Sequence, residues 1–327
     1  MRGDILKKKL MVLCAVAIMI STCLTGCKMN SGKIRFGSAG IGGTYQIFGD
    51  TFANLISSKS KKYNIEVKTT AGSAANLRLL SKDYIQMAVA QMDLINDAYN
   101  RTGIFENDKK YQGYRAVASL YTECCQIVVR KDSGITGIDD LINKTVSVGA
   151  SESGSEKNAE QILKMSGITD ELINKVNMDY TEAAEKLKAG EIDAFFCTAG
   201  TRTEVIGQLS KECDICLISL DDKCIDKMLS AYSLCEKYTI PAGTYNGQDS
   251  DVTTIGVKAV LIAKQSLSDD VIKNVTKTIY EHADDFKYAT SLDISFDINT
   301  AADGVDIPFH SGAAAYYTER GINVLTE

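Results

Sequence analysis

A short apolar run at residues 34–36 ends in the turn Gly37-Ser38-Ala39-Gly40-Ile41-Gly42-Gly43, and a helical pattern follows at once, with Phe48, Phe52, Leu55 and Ile56 at three- and four-residue spacings. This unit limits the possible folds more than any other feature of the chain. A strand that turns through small residues into a helix continues to a parallel neighbour by a right-handed crossover. It also points several backbone N–H groups and the positive end of a helix dipole at one spot. Glycine lets a guest approach that spot closely, and a small anion suits it. The turn is not a Walker loop, since no Lys-Ser or Lys-Thr follows, and it is not a clean Gly-x-Gly-x-x-Gly fingerprint. Without a ligand, Gly42-Gly43 simply turns the chain and Thr44 caps the helix.

The unit recurs. Residues 65–70 form a strand ending at Ala71-Gly72-Ser73, where Ser73 caps a helix carrying Leu77, Leu79 and Leu80. Residues 87–90 form a third strand, ending at Gln91, and Asp93 caps the helix that follows. Two strands at 116–120 and 126–130 precede a second series. There, a strand at 145–148 ends in a Gly-Ala-Ser-rich turn through Ser155. Thr181 caps a later helix, and a strand at 192–197 runs through Thr198-Ala199-Gly200-Thr201 into another. A strand at 257–263, one long helix over 267–286 and a last helix over 313–320 complete the pattern. In open α/β sheets the ligand sits beyond the carboxyl ends of the strands. Two such sets of strand ends suit a cleft that closes on a ligand from both sides, with hinges near residues 126–129 and 254–257.

Composition narrows the function classes. The 327 residues carry a formal net charge of −6, which argues against a nucleic-acid partner. Two histidines, His282 and His310, leave little material for His-based catalysis or metal binding. Residues 1–27 read as a targeting segment: Arg2, Lys7, Lys8 and Lys9 precede an apolar stretch at 10–20, and then comes Leu24-Thr25-Gly26-Cys27. The last four residues resemble a bacterial lipobox, which implies cleavage before Cys27, its lipidation and an extracytoplasmic, membrane-tethered protein. No later apolar stretch is long enough to span a membrane. Cys213, Cys216, Cys224 and Cys235 could be drawn as a four-thiolate zinc site, but the spacing is irregular and Cys216 falls in an apparent strand. Buried free thiols are the preferred reading, and no metal or cofactor is expected.

Several segments together resemble the TAXI family of solute receptors for TRAP transporters. They are Gly42-Gly43-Thr44-Tyr45, Gly72-Ser73-Ala74-Ala75-Asn76, Gln91-Met92-Asp93, Val128-Val129-Arg130-Lys131-Asp132-Ser133-Gly134, Ser153-Gly154-Ser155, Ile192-Asp193-Ala194-Phe195-Phe196, Ile240-Pro241-Ala242-Gly243-Thr244-Tyr245 and Phe309-His310-Ser311-Gly312. The resemblance runs over residues 34–322. It implies a type II periplasmic-binding-protein fold, two α/β lobes joined by a hinge: residues 33–126 and 257–327 in lobe I, 127–256 in lobe II. It also implies a monomeric receptor that delivers glutamate, a related amino acid or a C4–C5 dicarboxylate to a TRAP-type permease.

The expected ligand contacts follow. N–H groups around Gly43, Thr44 and Tyr45, and around Ser153 and Ser155, would receive carboxylate oxygens from opposite lobes. Ser73, Thr198, Asn76 and Gln91 would orient the ligand. Gly200 and Arg202 stand at a strand-to-helix turn, and Arg202 at a helix start suits a nearby anion. Arg78 pairs structurally or meets the ligand, and His310 reads as a structural histidine. Two other functions compete: a sensory lipoprotein using the same cleft, and an α/β-cleft enzyme. Cys197 at a strand end is the best candidate nucleophile for the latter.

Overall fold

A computed structural model describes residues 33–59, 63–290 and 296–326. The targeting segment and the expected lipid-bearing Cys27 lie outside the described residues. The first series is β1 (Lys33–Gly37), α1 (Thr44–Lys59), β2 (Asn64–Lys68), α2 (Ser73–Ser81), β3 (Met87–Gln91) and α3 (Met92–Asn100). β1 and β3 pair in parallel, as the crossover pattern requires. Helix α1 packs onto this sheet because Phe48, Phe52 and Ile56 share one face, and the Phe36 ring meets Phe52 at 5.5 Å.

The long strand β4 (Tyr114–Arg130) follows, then β5 (Thr145–Ser147), α4 (Gly154–Met165), β6 (Asn174–Val176), α5 (Tyr180–Ala189), β7 (Ala194–Ala199) and α6 (Glu204–Glu212). The rest is β8 (Ile215–Leu217), α7 (Asp222–Ala231), β9 (Cys235–Ile240), β10 (Val252–Lys264), α8 (Asp269–Glu281), α9 (Ala283–Thr290) and α10 (Ser311–Thr318). The strand order is β2-β1-β3-β10-β4-β7-β5-β6, with β8 on β4 and β9 on β10.

β4 is continuous where the sequence pattern reads as two strands. The intervening Tyr121-Thr122-Glu123-Cys124-Cys125 lacks a clear alternation, yet backbone pairing holds it extended. β10 lies antiparallel to its first part, through Cys124, and β7 to its later part, from Cys124 to Val129. β10 likewise pairs with β9 at its start and with β3 at its end. These two strands therefore belong to both halves of the molecule.

The apolar side chains gather accordingly. One core draws on residues 34–120 and 259–317. Two others draw on residues 125–257 and lie on opposite faces of the second half's sheet: Ile127 and Val129 go to one, Val128 to the other. Cys124 and Cys125 are buried like small apolar residues, as are Cys197, Cys224 and Cys235, and all seven cysteines among the described residues are free.

Local signals differ from the expectation in four places. Gln91, not Asp93, precedes α3, and Asp93 lies buried in the first turn. The long C-terminal helix breaks at His282, which leaves helical geometry and separates α8 from α9. Asp179, not Thr181, caps α5, its side chain accepting from the Glu182 N–H. Gly72, not Ser73, precedes α2, and this frees the Ser73 hydroxyl to accept the Gln91 N–H at 3.1 Å.

Candidate functional site

The N-termini of α1, α2 and α4 converge on a cavity of about 40 Å³. Gly43, Thr44, Tyr45, Ser73 and Gln91 line it from the first half, and Ser153, Ser155 and Thr198 from the second. The first turn of each helix leaves N–H groups without intrahelical acceptors, so all three dipoles favour negative charge there. Small residues allow this convergence: a Cβ on Gly154 would collide with the Gln91 amide, and the Gly72 backbone has φ near +122°, which side-chain-bearing residues avoid.

The sequence reading missed Glu123, Asp179 and Tyr180, which also line the cavity. Glu123 stands on β4 where the pattern breaks and is only 2% exposed. The Tyr45 hydroxyl donates to Glu123 Oε2 at 2.7 Å. Burial pushes the Glu123 carboxyl up to about 8, against the lowering effect of hydrogen bonds from Tyr45 and Gln91. The one carboxylate in the long run of residues 114–130 was the available signal. On the other wall, the Ser155 hydroxyl accepts the Thr198 N–H at 2.8 Å and meets the Tyr180 hydroxyl, which also lies 2.9 Å from the Thr198 carbonyl. Ser153 Oγ accepts the Glu156 N–H and caps α4. Gln91 Oε1 and Thr198 Oγ1 are buried with no partner among the described residues.

Three expected contacts lie outside the cavity lining. Asn76 is fully buried, and its Nδ2 donates to the Ser38 and Val89 carbonyls at 2.7 and 2.9 Å, so it ties strand ends together. The Gly200 N–H donates to Thr44 Oγ1 at 3.1 Å and links the halves beside the cavity. Arg202 is exposed, with φ near +65°. Arg78 forms ion pairs with Asp108 and with Glu152 of the opposite half. With the Ala75 N–H donating to the Glu152 carbonyl at 3.1 Å and Lys157 pairing with Asp97 at 2.8 Å, these contacts join the two halves. His310 caps α10 by accepting the Gly312 N–H, and its other ring nitrogen meets the Leu267 carbonyl. Burial pushes the Cys197 thiol well up, so it is a poor nucleophile. No group of three or more His, Cys, Asp or Glu among the described residues is arranged for a metal.

The NMT1-like family matches residues 36–321. Three solved structures are similar to this chain. A protein from Bordetella bronchiseptica RB50 has 16% identity and TM-score 0.51, with 90% of this chain and 83% of that one covered. A protein from Xanthomonas citri bound to ATP has 10% identity and TM-score 0.50, with 89% and 99% covered. The periplasmic aliphatic sulphonate binding protein SsuA from Escherichia coli has 12% identity and TM-score 0.46, with 89% and 88% covered. The architecture is the two-lobed α/β fold of periplasmic binding proteins.

Proposed function

The chain belongs to the NMT1-like family, and from that premise we propose that it is an extracytoplasmic receptor that captures a small amino acid between its lobes and delivers it to a membrane permease. The carrying observation is the charge of the cavity wall. Three helix N-termini face one space, and the charged side chains lining it, Glu123 and Asp179, are both acids, with no Lys or Arg among the described lining residues. A carboxylate suits the helix N-termini, and an ammonium group suits Glu123. A zwitterion satisfies both, whereas a dicarboxylate would leave its second charge facing an acid. A cavity of about 40 Å³ favours a small ligand, since one water needs roughly 10–15 Å³ by the same measure.

Binding then runs as capture and closure. The ligand carboxylate meets N–H groups of both lobes, so the closed state gains contacts that the open state lacks, and the population shifts accordingly. Lobe boundaries near residues 126 and 257, an anchor at Cys27 and a monomeric state complete the proposal. A TRAP-type permease partner rests on the motif resemblance. A calorimetric screen of amino acids against C4–C5 dicarboxylates tests the reading, because a true ligand raises the melting temperature by mass action. Selective binding of a dicarboxylate, with every amino acid silent, would sink it.

A further inference from the structure

A second, larger cavity of about 670 Å³ opens beside α2 and α3, lined by the first half and by Glu152 of the second, and shares no lining residue with the interlobe cavity. Its walls carry Lys82, Arg101, Lys109 and Lys110, and among the described residues none of the four forms an ion pair. A fifth cation, Arg78, is held at the rim by Asp108 at 2.9 Å and Glu152 at 2.8 Å, with its guanidinium 4.9 Å from the centre of the Phe105 ring. Leu77, Phe105 and Tyr111 supply an apolar wall.

This concentration of positive charge is unexpected in a chain of net charge −6. Helix dipoles account for part of it: Lys82 and Arg101 are the C-terminal caps of α2 and α3. They do not account for Lys109 and Lys110, which come from the loop before β4. Four unpaired cations around one concavity focus a positive potential inside it.

We propose that this cavity is a second binding site, for a soluble multivalent oxyanion. The four free cations would supply charge-assisted contacts to several anionic oxygens at once, and the already paired Arg78 would hold the rim.

The test uses the full chain and inorganic triphosphate as probe. Calorimetric titration should give saturable binding that weakens as salt rises, because the cations are exposed. Lys109→Glu with Lys110→Glu should weaken it at least about tenfold. Lys82→Glu with Arg101→Glu should do the same. Reversing two charges on α8, Lys273→Glu with Lys277→Glu, should leave it within about twofold, since neither lines the cavity and both pair with other carboxylates, Glu319 and Glu281. Absence of saturable binding at low salt overturns the proposal, as does equal weakening by the α8 pair. Association with phosphatidylglycerol vesicles that needs the same lysines, in a protein that ignores triphosphate, also overturns it in favour of a membrane-facing patch.

Discussion

On the first-half side of the cavity, Glu123, Tyr45 and Gln91 keep capacity for a guest: a raised carboxyl, a hydroxyl bound to it and an amide oxygen without a partner. On the opposite side, Ser153, Ser155, Tyr180 and Asp179 bond within their own half, and the backbone N–H groups of α4 with the unpartnered Thr198 hydroxyl are what remains to offer. One wall can discriminate by charge and protonation. The other can close on any small anionic group through peptide dipoles, which carry little chemical selectivity. A binding cleft need not divide its recognition evenly between the parts that close on it.

The sharpest way to break this asymmetry is Glu123→Gln, which keeps shape and removes the carboxylate. Amino-acid affinity should fall about 10- to 100-fold, the range for losing one charge-assisted contact. Calorimetry showing unchanged affinity would mean that the first wall does not read the ammonium group. Gly154→Ala comes next, because its Cβ would press on Gln91 and obstruct closure. About tenfold weaker binding is expected, with X-ray scattering showing less compaction on ligand addition. Full compaction would make the contact irrelevant to closure.

The third effect concerns pH. Glu123, pushed up to about 8, is mostly protonated at neutral pH in the empty site. Pairing with an ammonium requires the carboxylate, so binding releases a proton and must tighten as pH rises. Linkage gives about a fivefold gain between pH 7 and 8, levelling above that. Titrations in buffers of different ionisation enthalpy should detect the released proton, and Glu123→Gln should abolish the slope. A flat profile in the unaltered protein would contradict the assignment. The smallest effect on binding belongs to Ser155→Ala, within about threefold, because that hydroxyl serves its own lobe. Its cost should appear in unfolding, at about 1–3 kcal/mol, since the buried Thr198 N–H loses its acceptor. A large affinity loss without destabilisation would show that the second wall recognises through side chains after all.

Much of this cavity was legible in the sequence, for a local reason. Gly43, Thr44, Tyr45, Ser73, Gln91, Ser153 and Ser155 sit at or beside strand-to-helix turns, and strand and turn chemistry is written in short windows. Asn76 misled because a polar residue in the first turn of a helix has the same appearance whether it faces a ligand or ties down neighbouring carbonyls. Arg202 misled similarly: its place near a helix start said nothing about which way the turn, with φ near +65°, would face it.

By itself, then, the sequence determined the alternation of strands and helices, the parallel pairing of β1 and β3, and the small-residue turns where a ligand could be met. Periodicity and turn preference act over a few residues and need no distant partner. Only the tertiary structure decided that residues 121–125 stay extended through the waist, because pairing with β10 and β7 overrides their weak strand pattern. That pairing carries Glu123 to the cavity wall, more than seventy residues along the chain from the Tyr45 that holds it. Separately, the packing of α2, α3 and the loop before β4 gathers Lys82, Arg101, Lys109 and Lys110 around one concavity. Charges brought together by long-range contacts leave no periodic trace in the chain, and the burial that shifts a carboxyl towards 8 exists only once the lobes have packed.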